Sequence, residues 1–260
     1  MRKKIKLLIS IIVLGGAVMG LVACGEKNDN KNNKKVITMS VAASLEEPMK
    51  TIQGLFYDKT GIEIKLNVGG SGTLEKQISN GAKVDMFFSA NKDNTDKLID
   101  KGFVYENKSY NFLENSLVVI GGKDTKKLNN LNELKDAKGK IAIGEINTVP
   151  AGSYAKEALE KANSWNLVDN KLVYAKSVTS VKNYVESGDA EYGFVYKTDA
   201  YKLKNGKIVY EINDNMHKKI EYNLVILKNS ENKKDDTSLL EFLQSPEAKK
   251  VFEQYGFKEN

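Results

Sequence analysis

The chain has 260 residues, of which 41% are hydrophobic, 28% charged and 8% aromatic. This length corresponds to about two domains, and the composition excludes a disordered chain, a collagen-like fibre and a membrane protein with several spans. The formal net charge is +6, but the first six residues carry four positive charges, and residues 36–260 have 32 basic and 32 acidic side chains. The body of the chain is therefore neutral, which argues against a nucleic-acid partner.

The first 24 residues are typical of an export signal. A basic start, Met1–Lys6, precedes the apolar stretch Leu7–Ala23, which is slightly short for a membrane-spanning helix. The next residue is Cys24, and Leu21-Val22-Ala23-Cys24 resembles the lipobox of bacterial lipoproteins. The resemblance implies that residues 1–23 are a cleaved signal peptide and that Cys24 is acylated. An uncleaved N-terminal anchor is the alternative.

Residues 24–35 are predicted to be a lipidated cysteine followed by a flexible tether. Gly25–Lys35 contains four Asn and four Lys and has no apolar side chain to bury. Cys24 is the only cysteine in the chain, so a disulfide within it is excluded. We therefore expect the folded part to work in water at the extracytoplasmic face of the cell membrane, held there by a lipid anchor.

From Val36 onward, short runs of β-branched residues alternate with segments of helical period, a pattern that predicts an α/β fold with a parallel sheet. Apolar spacings of three and four predict helices around Leu45–Phe56, Leu74–Ile78, Ala155–Ala162 and Val181–Val185, and Ser245 followed by Pro246 predicts the start of the last one. The predicted strands are Val36–Ala43, Ile62–Val68, Val84–Ser89, Leu117–Ile120, Lys140–Gly144, Leu172–Ala175, Tyr192–Tyr196, Lys207–Ile212 and Glu221–Leu227.

Two strand-to-helix turns combine small residues with a hydroxyl. Ala42-Ala43-Ser44 closes the first strand, and Glu47, three residues after Ser44, predicts a capping box. Gly69-Gly70-Ser71-Gly72 repeats the arrangement after the second strand. Both turns fit an anion site made of hydroxyls and helix N-terminal N–H groups, and both also fit ordinary caps and tight turns. The glycine cluster lacks the residues of a P-loop and of a dinucleotide-binding fingerprint.

Three further turns could supply hydrogen-bond donors. Pro150 and Gly152 flank Ala151 at the start of a predicted helix, where backbone N–H groups would be accessible. Ser177-Val178-Thr179-Ser180 opens the next helix, and Tyr196 ends a strand with a phenol. Taken singly, these residues also fit a Pro-Gly turn, a polar N-cap and a core tyrosine.

Together with other segments, these turns resemble the signature segments of the ModA family, the molybdate-binding subunits of ABC importers. The similar segments occur in the family's order and span Val36 to Phe257. Asn91 stands where the family commonly has Asp, and Gly72 where Ser is frequent. The segments are Val41–Leu45, Gly70–Leu74, Asp85–Ala90, Asn115–Val119, Val149–Ala155 and Gly193–Tyr196.

The resemblance implies a type II periplasmic-binding-protein fold, which has two α/β lobes, a ligand cleft between them and two hinge crossings. The crossings are expected near Ser116–Val119 and Tyr222–Val225. Lobe 1 is accordingly expected to contain residues 36–117 and 225–260, and lobe 2 residues 118–224.

In this family two serine hydroxyls, backbone amides and a tyrosine hold the ligand. By motif, the resemblance carries these roles to Ser44 and Ser71 on one lobe and to Ala151, Val178 and Tyr196 on the other. The implied ligand is molybdate or the similarly sized tungstate, with no cofactor and no direct metal-ion ligand. Such a dianion only accepts hydrogen bonds, so neutral donors suit it. The implied partners are an ABC permease and its ATPase, and the chain is expected to be a monomer.

The nearest alternative is a binding protein for sulfate or another small oxyanion, because sulfate has the charge and shape of molybdate. A secreted enzyme is disfavoured, since the only histidine, His217, is predicted in a surface loop and no Gly-x-Ser-x-Gly elbow surrounds Ser44 or Ser71. A purely structural lipoprotein is also disfavoured, because it would not need open helix N-termini around a cleft. We therefore predict a solute-binding protein that is not an enzyme.

Overall fold

The computed structural model describes residues 35–201 and 203–259, apart from the side chain of Glu106. The predicted signal peptide, the predicted lipidation site at Cys24 and all of the predicted tether except Lys35 lie outside these residues. The described residues belong to one compact unit. Among them, no helix is both long enough and apolar enough to cross a membrane.

The described residues contain eleven strands and nine α-helices. The strands are β1 Val36–Ala42, β2 Glu63–Gly69, β3 Met86–Ser89, β4 Val104–Asn115, β5 Leu117–Gly122, β6 Ile141–Gly144, β7 Leu172–Ala175, β8 Tyr192–Tyr196, β9 Gly206–Glu211, β10 Ile220–Leu227 and β11 Lys258–Glu259. The helices are α1 Glu46–Thr60, α2 Ser71–Ser79, α3 Lys92–Asp100, α4 Pro150–Lys161, α5 Trp165–Val168, α6 Val178–Ser187, α7 Lys197–Ala200, α8 Lys233–Leu243 and α9 Pro246–Gln254.

The strands form two sheets, with the orders β11-β4-β10-β3-β1-β2 and β7-β6-β8-β5-β9. In the first sheet β1 is parallel to β2 and β3, whereas β10 is antiparallel to β3 and β4. In the second sheet β6 is parallel to β7 and β8, whereas β5 is antiparallel to β8 and β9. The parallel pairing that the sequence pattern predicts is therefore present in part of each sheet, and both sheets are mixed.

The predicted helices are present as α1, α2, α4, α6 and α9. In α1 the apolar residues at helical spacing form a buried face that includes Met49, Ile52 and Phe56. Helix α9 begins where Ser245 accepts a hydrogen bond from the Ala248 N–H, which is the predicted cap. These helices follow from local patterns, and they pack those patterns against the sheets.

Strand β4 and helix α3 are not predicted by the sequence pattern. Among the described side chains of β4 only Val104 and Leu113 are buried, so the strand lacks an apolar alternation. Its backbone is held by pairing with β10 and β11. Helix α3 is rich in Lys and Asp and buries Asn94, Thr95 and Leu98. Both elements depend on neighbours that are distant in the chain.

The chain first passes from one sheet to the other at Ser116. Strand β4 ends at Asn115 in the first sheet, and β5 begins at Leu117 in the second. This position lies at the start of the predicted crossing, Ser116–Val119.

The second passage lies earlier in the chain than the sequence predicts. Strand β9 ends at Glu211 in the second sheet, and β10 begins at Ile220 in the first. The predicted crossing, Tyr222–Val225, lies inside β10, where the backbone pairs with β4 on one side and β3 on the other. Tyr222 therefore lies in the first sheet, and the chain crosses within residues 212–219.

Candidate functional site

The turns that the sequence singled out meet at one cavity. Its volume is about 200 Å³, including space open to solvent. The residues around it come from the ends of β1, β2 and β8, from the turn after β3, and from the starts of α2, α4 and α6. They are Ala42, Ala43, Ser44, Gly69, Gly70, Ser71, Ala90, Val149, Pro150, Val178 and Tyr196. None of these side chains carries a charge.

Parallel strands explain why distant residues meet here. Ala42 and Gly69, the last residues of β1 and β2, are paired partners in the first sheet. In the second sheet β6 is parallel to β7 and β8, so the carboxyl ends of these three strands lie at one edge. Ligands of open α/β sheets bind at such carboxyl ends. The cavity lies where these edges of the two sheets face each other.

Four of the five predicted site residues lie on the cavity, namely Ser44, Ser71, Val178 and Tyr196. Ala151 does not line the cavity. It is fully buried and directly follows Pro150, which does line the cavity. The prediction did not include the other lining residues as contacts. Most of them are Ala or Gly at the same strand ends, so the small-residue pattern was the signal that could have identified them.

The helix starts around the cavity differ in how they are capped. Helix α2 starts after Gly70 and helix α4 after Val149, and neither has a side-chain cap. In α6 the Ser177 hydroxyl accepts from the Ser180 N–H. Uncapped first-turn N–H groups carry partial positive charge and are suited to bind an anion.

The Ser71 hydroxyl is almost fully buried and already accepts one hydrogen bond. The donor is the backbone N–H of Ala90, with N···O 3.0 Å, and Ser71 is 1% exposed. Because its oxygen accepts from an N–H, the hydroxyl hydrogen remains for another acceptor.

The Ser44 hydroxyl lies 2.8 Å from the Tyr222 hydroxyl. The predicted capping box is not formed, because Ala43–Leu45 is a 3₁₀ turn and α1 starts only at Glu46, without a side-chain cap. Ser44 instead points its oxygen at a residue of β10. Tyr222 is fully buried, and sequence reasoning did not identify it as part of this site.

Tyr196 presents a buried phenol at the cavity. The residue is 1% exposed, and its Oη has no hydrogen-bond partner among the described residues. Burial raises the pKa of this phenol well above its usual value, so it stays protonated and able to donate. An unpaired buried hydroxyl costs about 1–3 kcal/mol, a cost that an accepting ligand would remove.

Asp199 is an acidic group near this phenol that the sequence analysis did not single out. Burial raises the pKa of Asp199 to about 7, and this effect is partly offset by Lys182 and by hydrogen bonds from the backbone N–H groups of Tyr196 and Asp199. One carboxylate oxygen is buried without a partner among the described residues. Near neutral pH, Asp199 therefore exists in both protonation states.

His217 lies in the connection between β9 and β10, but its side chain is buried at 5% exposure and is not on the surface, where the sequence predicted it. Its ring packs on Tyr154 of α4, with centroids 5.6 Å apart. Nδ1 is 2.7 Å from the carbonyl oxygen of Lys218 and therefore donates to it. Packing against Tyr154 of α4 therefore buries the His217 side chain, whereas most of the polar residues around it are exposed, namely Asn213, Asp214, Asn215, Lys218 and Lys219.

Two α/β halves, joined by two crossings and with an uncharged cavity between them that contains three hydroxyl side chains, define a two-lobed solute-binding protein. The chain belongs to the bacterial extracellular solute-binding protein family, whose sequence profile matches residues 37–258. The predicted family and fold class are confirmed.

Individual relatives cover nearly the whole chain. YvgL of Bacillus subtilis (strain 168), provisionally named an ABC transporter substrate-binding lipoprotein, is 38% identical over 99% of each chain. The molybdate-binding protein ModA of Escherichia coli (strain K12) is 32% identical, over 94% of this chain and 96% of its own. The solved periplasmic molybdate-binding protein of Azotobacter vinelandii superposes with a TM-score of 0.75, covering 85% of this chain and 98% of its own. That structure is 22% identical and shows the shared fold.

Proposed function

We propose that this protein is the extracytoplasmic solute-binding subunit of an ABC importer and that it binds molybdate, and tungstate, in the cavity between its two sheets. The observation that carries the proposal is the Tyr196 phenol, which is buried at an uncharged cavity without a partner among the described residues. The names of the relatives support molybdate as the solute.

The proposed contacts are all neutral donors. The hydroxyls of Ser44, Ser71 and Tyr196 and the first-turn N–H groups at Ala151 and Val178 hold the oxyanion. Molybdate is a dianion without a hydrogen to donate, so each of these groups can pair with it. Hydrogen bonds to a charged acceptor contribute about 1.5–3 kcal/mol each, so a few convergent ones support tight binding.

Delivery is part of the same proposal. The two halves close over the anion by a hinge motion at the two crossings, and the closed form passes the anion to a membrane permease driven by its ATPase. The protein acts as a monomer, is anchored through lipid on Cys24, and releases the anion without converting it. The lipoprotein name of the YvgL relative supports the anchor.

Titration calorimetry on the full chain in mild detergent tests this function. We expect molybdate and tungstate to bind at least 100-fold more tightly than sulfate and phosphate, a difference of about 2.7 kcal/mol in binding free energy. Sulfate that binds as tightly as molybdate would contradict the proposed solute. Recovery of a chemically altered anion after incubation would contradict a binding role.

A further inference from the structure

We propose that Asn115 and Tyr222 are positioning residues that direct the Ser44 hydroxyl hydrogen into the cavity, so that the site selects oxyanions without a proton. The inference rests on the proposed function and adds how the site discriminates between dianions of equal charge. It is carried by a chain of three hydrogen-bonded side chains that leads from the first crossing to the cavity.

The chain starts at Asn115, the last residue of β4. Its Oδ1 accepts from the backbone N–H of Ser116 at 2.9 Å, which identifies the other amide atom as Nδ2. Nδ2 lies 3.2 Å from the Tyr222 Oη and 2.9 Å from the Thr198 Oγ1. An amide nitrogen only donates, so the Tyr222 oxygen must accept from Asn115.

The direction of the hydrogen bond from Asn115 to Tyr222 fixes the direction of the next one, between Tyr222 and Ser44. Its Oη has two side-chain neighbours within hydrogen-bond distance, Asn115 Nδ2 and Ser44 Oγ. Burial raises the pKa of Tyr222 well above its usual value, so the phenol keeps its hydrogen. Since Nδ2 cannot accept that hydrogen, it goes to Ser44 Oγ, 2.8 Å away.

Ser44 is then left with its own hydrogen, and it lies on the cavity. The Ser71 hydroxyl also keeps its hydrogen for a ligand, because its oxygen accepts from the backbone N–H of Ala90. The two serines differ in one respect that an experiment can use. The donor to Ser71 belongs to the backbone, whereas the donors behind Ser44 are side chains that can be substituted.

A Ser44 hydroxyl that only donates affects which oxyanions the site selects. Molybdate accepts from both serines, but hydrogen phosphate is a dianion that also carries one O–H and needs an acceptor for it. A Ser44 hydroxyl that is held as a donor does not provide one. Without Tyr222 Oη, the Ser44 hydroxyl could rotate and accept, and the penalty against hydrogen phosphate would fall.

The first test is Tyr222→Phe in the full chain, with molybdate and inorganic phosphate titrated at pH 8. The substitution removes one oxygen and keeps the ring that packs on Tyr196 and Phe257. We expect the ratio of molybdate to phosphate affinity to fall about 10-fold, the size expected for one hydrogen bond to a charged group. Tyr110→Phe is the matched control on the neighbouring strand β4 and should leave the ratio unchanged.

A second variant keeps the test decisive if Tyr222→Phe does not fold. In Asn115→Asp the new carboxylate accepts from Tyr222, whose oxygen then accepts from Ser44, so the polarity of the whole chain reverses. The added charge acts equally on two dianions, and their affinity ratio should again fall about 10-fold or more.

A double variant tests whether Tyr222 acts through Ser44. In a Ser44→Ala background, Tyr222→Phe should change the ratio of molybdate to phosphate affinity no further.

The possible failures can be told apart. If the wild type binds molybdate and both single variants keep its affinity ratio, the inference is overturned while the proposed function stands, even if both affinities drop together. If the wild type prefers sulfate, the proposed solute is wrong, and sulfate, which also lacks a proton, replaces molybdate in the ratio. If the wild type binds phosphate as tightly as either, both proposals are overturned.

Discussion

Removal of the Tyr196 hydroxyl should have opposite effects on the stability of the ligand-free protein and on its affinity for molybdate. Without a ligand its Oη is buried and unpaired among the described residues, so Tyr196→Phe should stabilise the ligand-free protein by about 1 kcal/mol. The same change should weaken molybdate binding about 10-fold or more, because a donor is lost. Urea unfolding and calorimetry measure the two effects. The control is Tyr192→Phe, because Tyr192 is buried in the same strand but does not line the cavity. If Tyr196→Phe binds molybdate as tightly as the wild type, Tyr196 is not a ligand contact.

Asp199 predicts a pH dependence of binding. Its charge lies close enough to Tyr196 to raise the pKa of that phenol, and its own pKa is about 7. A carboxylate opposes a dianion nearby, whereas the protonated acid does not. Molybdate affinity should therefore increase as the pH falls from 8 to 6.5. Calorimetry at both pH values should show a smaller change for Asp199→Asn than for the wild type, and an exposed control, Asp189→Asn, should behave like the wild type.

Among the secondary-structure elements, the start of α2 forms a direct contact across the cleft. The Gly72 N–H donates to the carbonyl oxygen of Thr148, which precedes α4, at 2.9 Å. A Cβ on Gly72 would lie 2.8 Å from the Thr148 Cα, and a Cβ on Gly70 2.8 Å from the Thr148 oxygen. The two glycines therefore allow the first half to meet the backbone of the second.

Gly72→Ala should weaken ligand binding more than it affects the ligand-free fold. The added methyl collides with backbone of the other half, so it opposes closure, while α2 itself gains helix propensity. The control is Gly54→Ala inside α1, where nothing lies within 4 Å of the added Cβ. That change should stabilise the protein by about 0.5–1 kcal/mol without altering affinity. Equal molybdate affinities for Gly72→Ala and wild type would show that this contact is not needed for binding.

For the whole molecule, a buried pair of acids should make stability depend on pH. Ser230 Oγ lies 2.9 Å from Asp85 Oδ1 and 2.5 Å from Asp236 Oδ2. The single Ser230 hydrogen can serve only one carboxylate, so the arrangement suits a protonated Asp236 that donates to Ser230. Burial raises the pKa of Asp236 to about 6; the hydrogen bond with Ser230 partly opposes this shift, and the charges of Asp85 and Asp235 add to it.

Since the pKa of Asp236 is higher in the folded than in the unfolded chain, its contribution favours folding at low pH. That contribution is fully present below pH 4 and is lost as the pH rises through about 6. Asp236→Asn keeps a donor for Ser230 and cannot ionise, so it should raise the free energy of unfolding at pH 8 by about 1–2 kcal/mol. Urea unfolding at pH 5 and pH 8 should show the gain mainly at pH 8. A gain of the same size at both pH values would contradict this account.

The amino-acid sequence by itself determined the order of most strands and helices, the family, and the turns that surround the cavity. These features depend on local pattern: apolar spacing for the helices, and small residues with hydroxyls at strand ends. Four of the five predicted site residues line the cavity because parallel strands bring their carboxyl ends to one edge. Their roles as ligands stay a prediction that calorimetry can test.

Only the tertiary structure decided which groups meet across the chain. Ser44 and Tyr222 are 178 residues apart, and their contact depends on the pairing of β10 with β3 and β4. The same pairing places Tyr222–Val225 inside β10, so the second crossing lies within residues 212–219. Packing on Tyr154 buries His217. No periodicity encodes such contacts, because sheet order and hydrogen-bond direction depend on residues brought together only when the chain is folded.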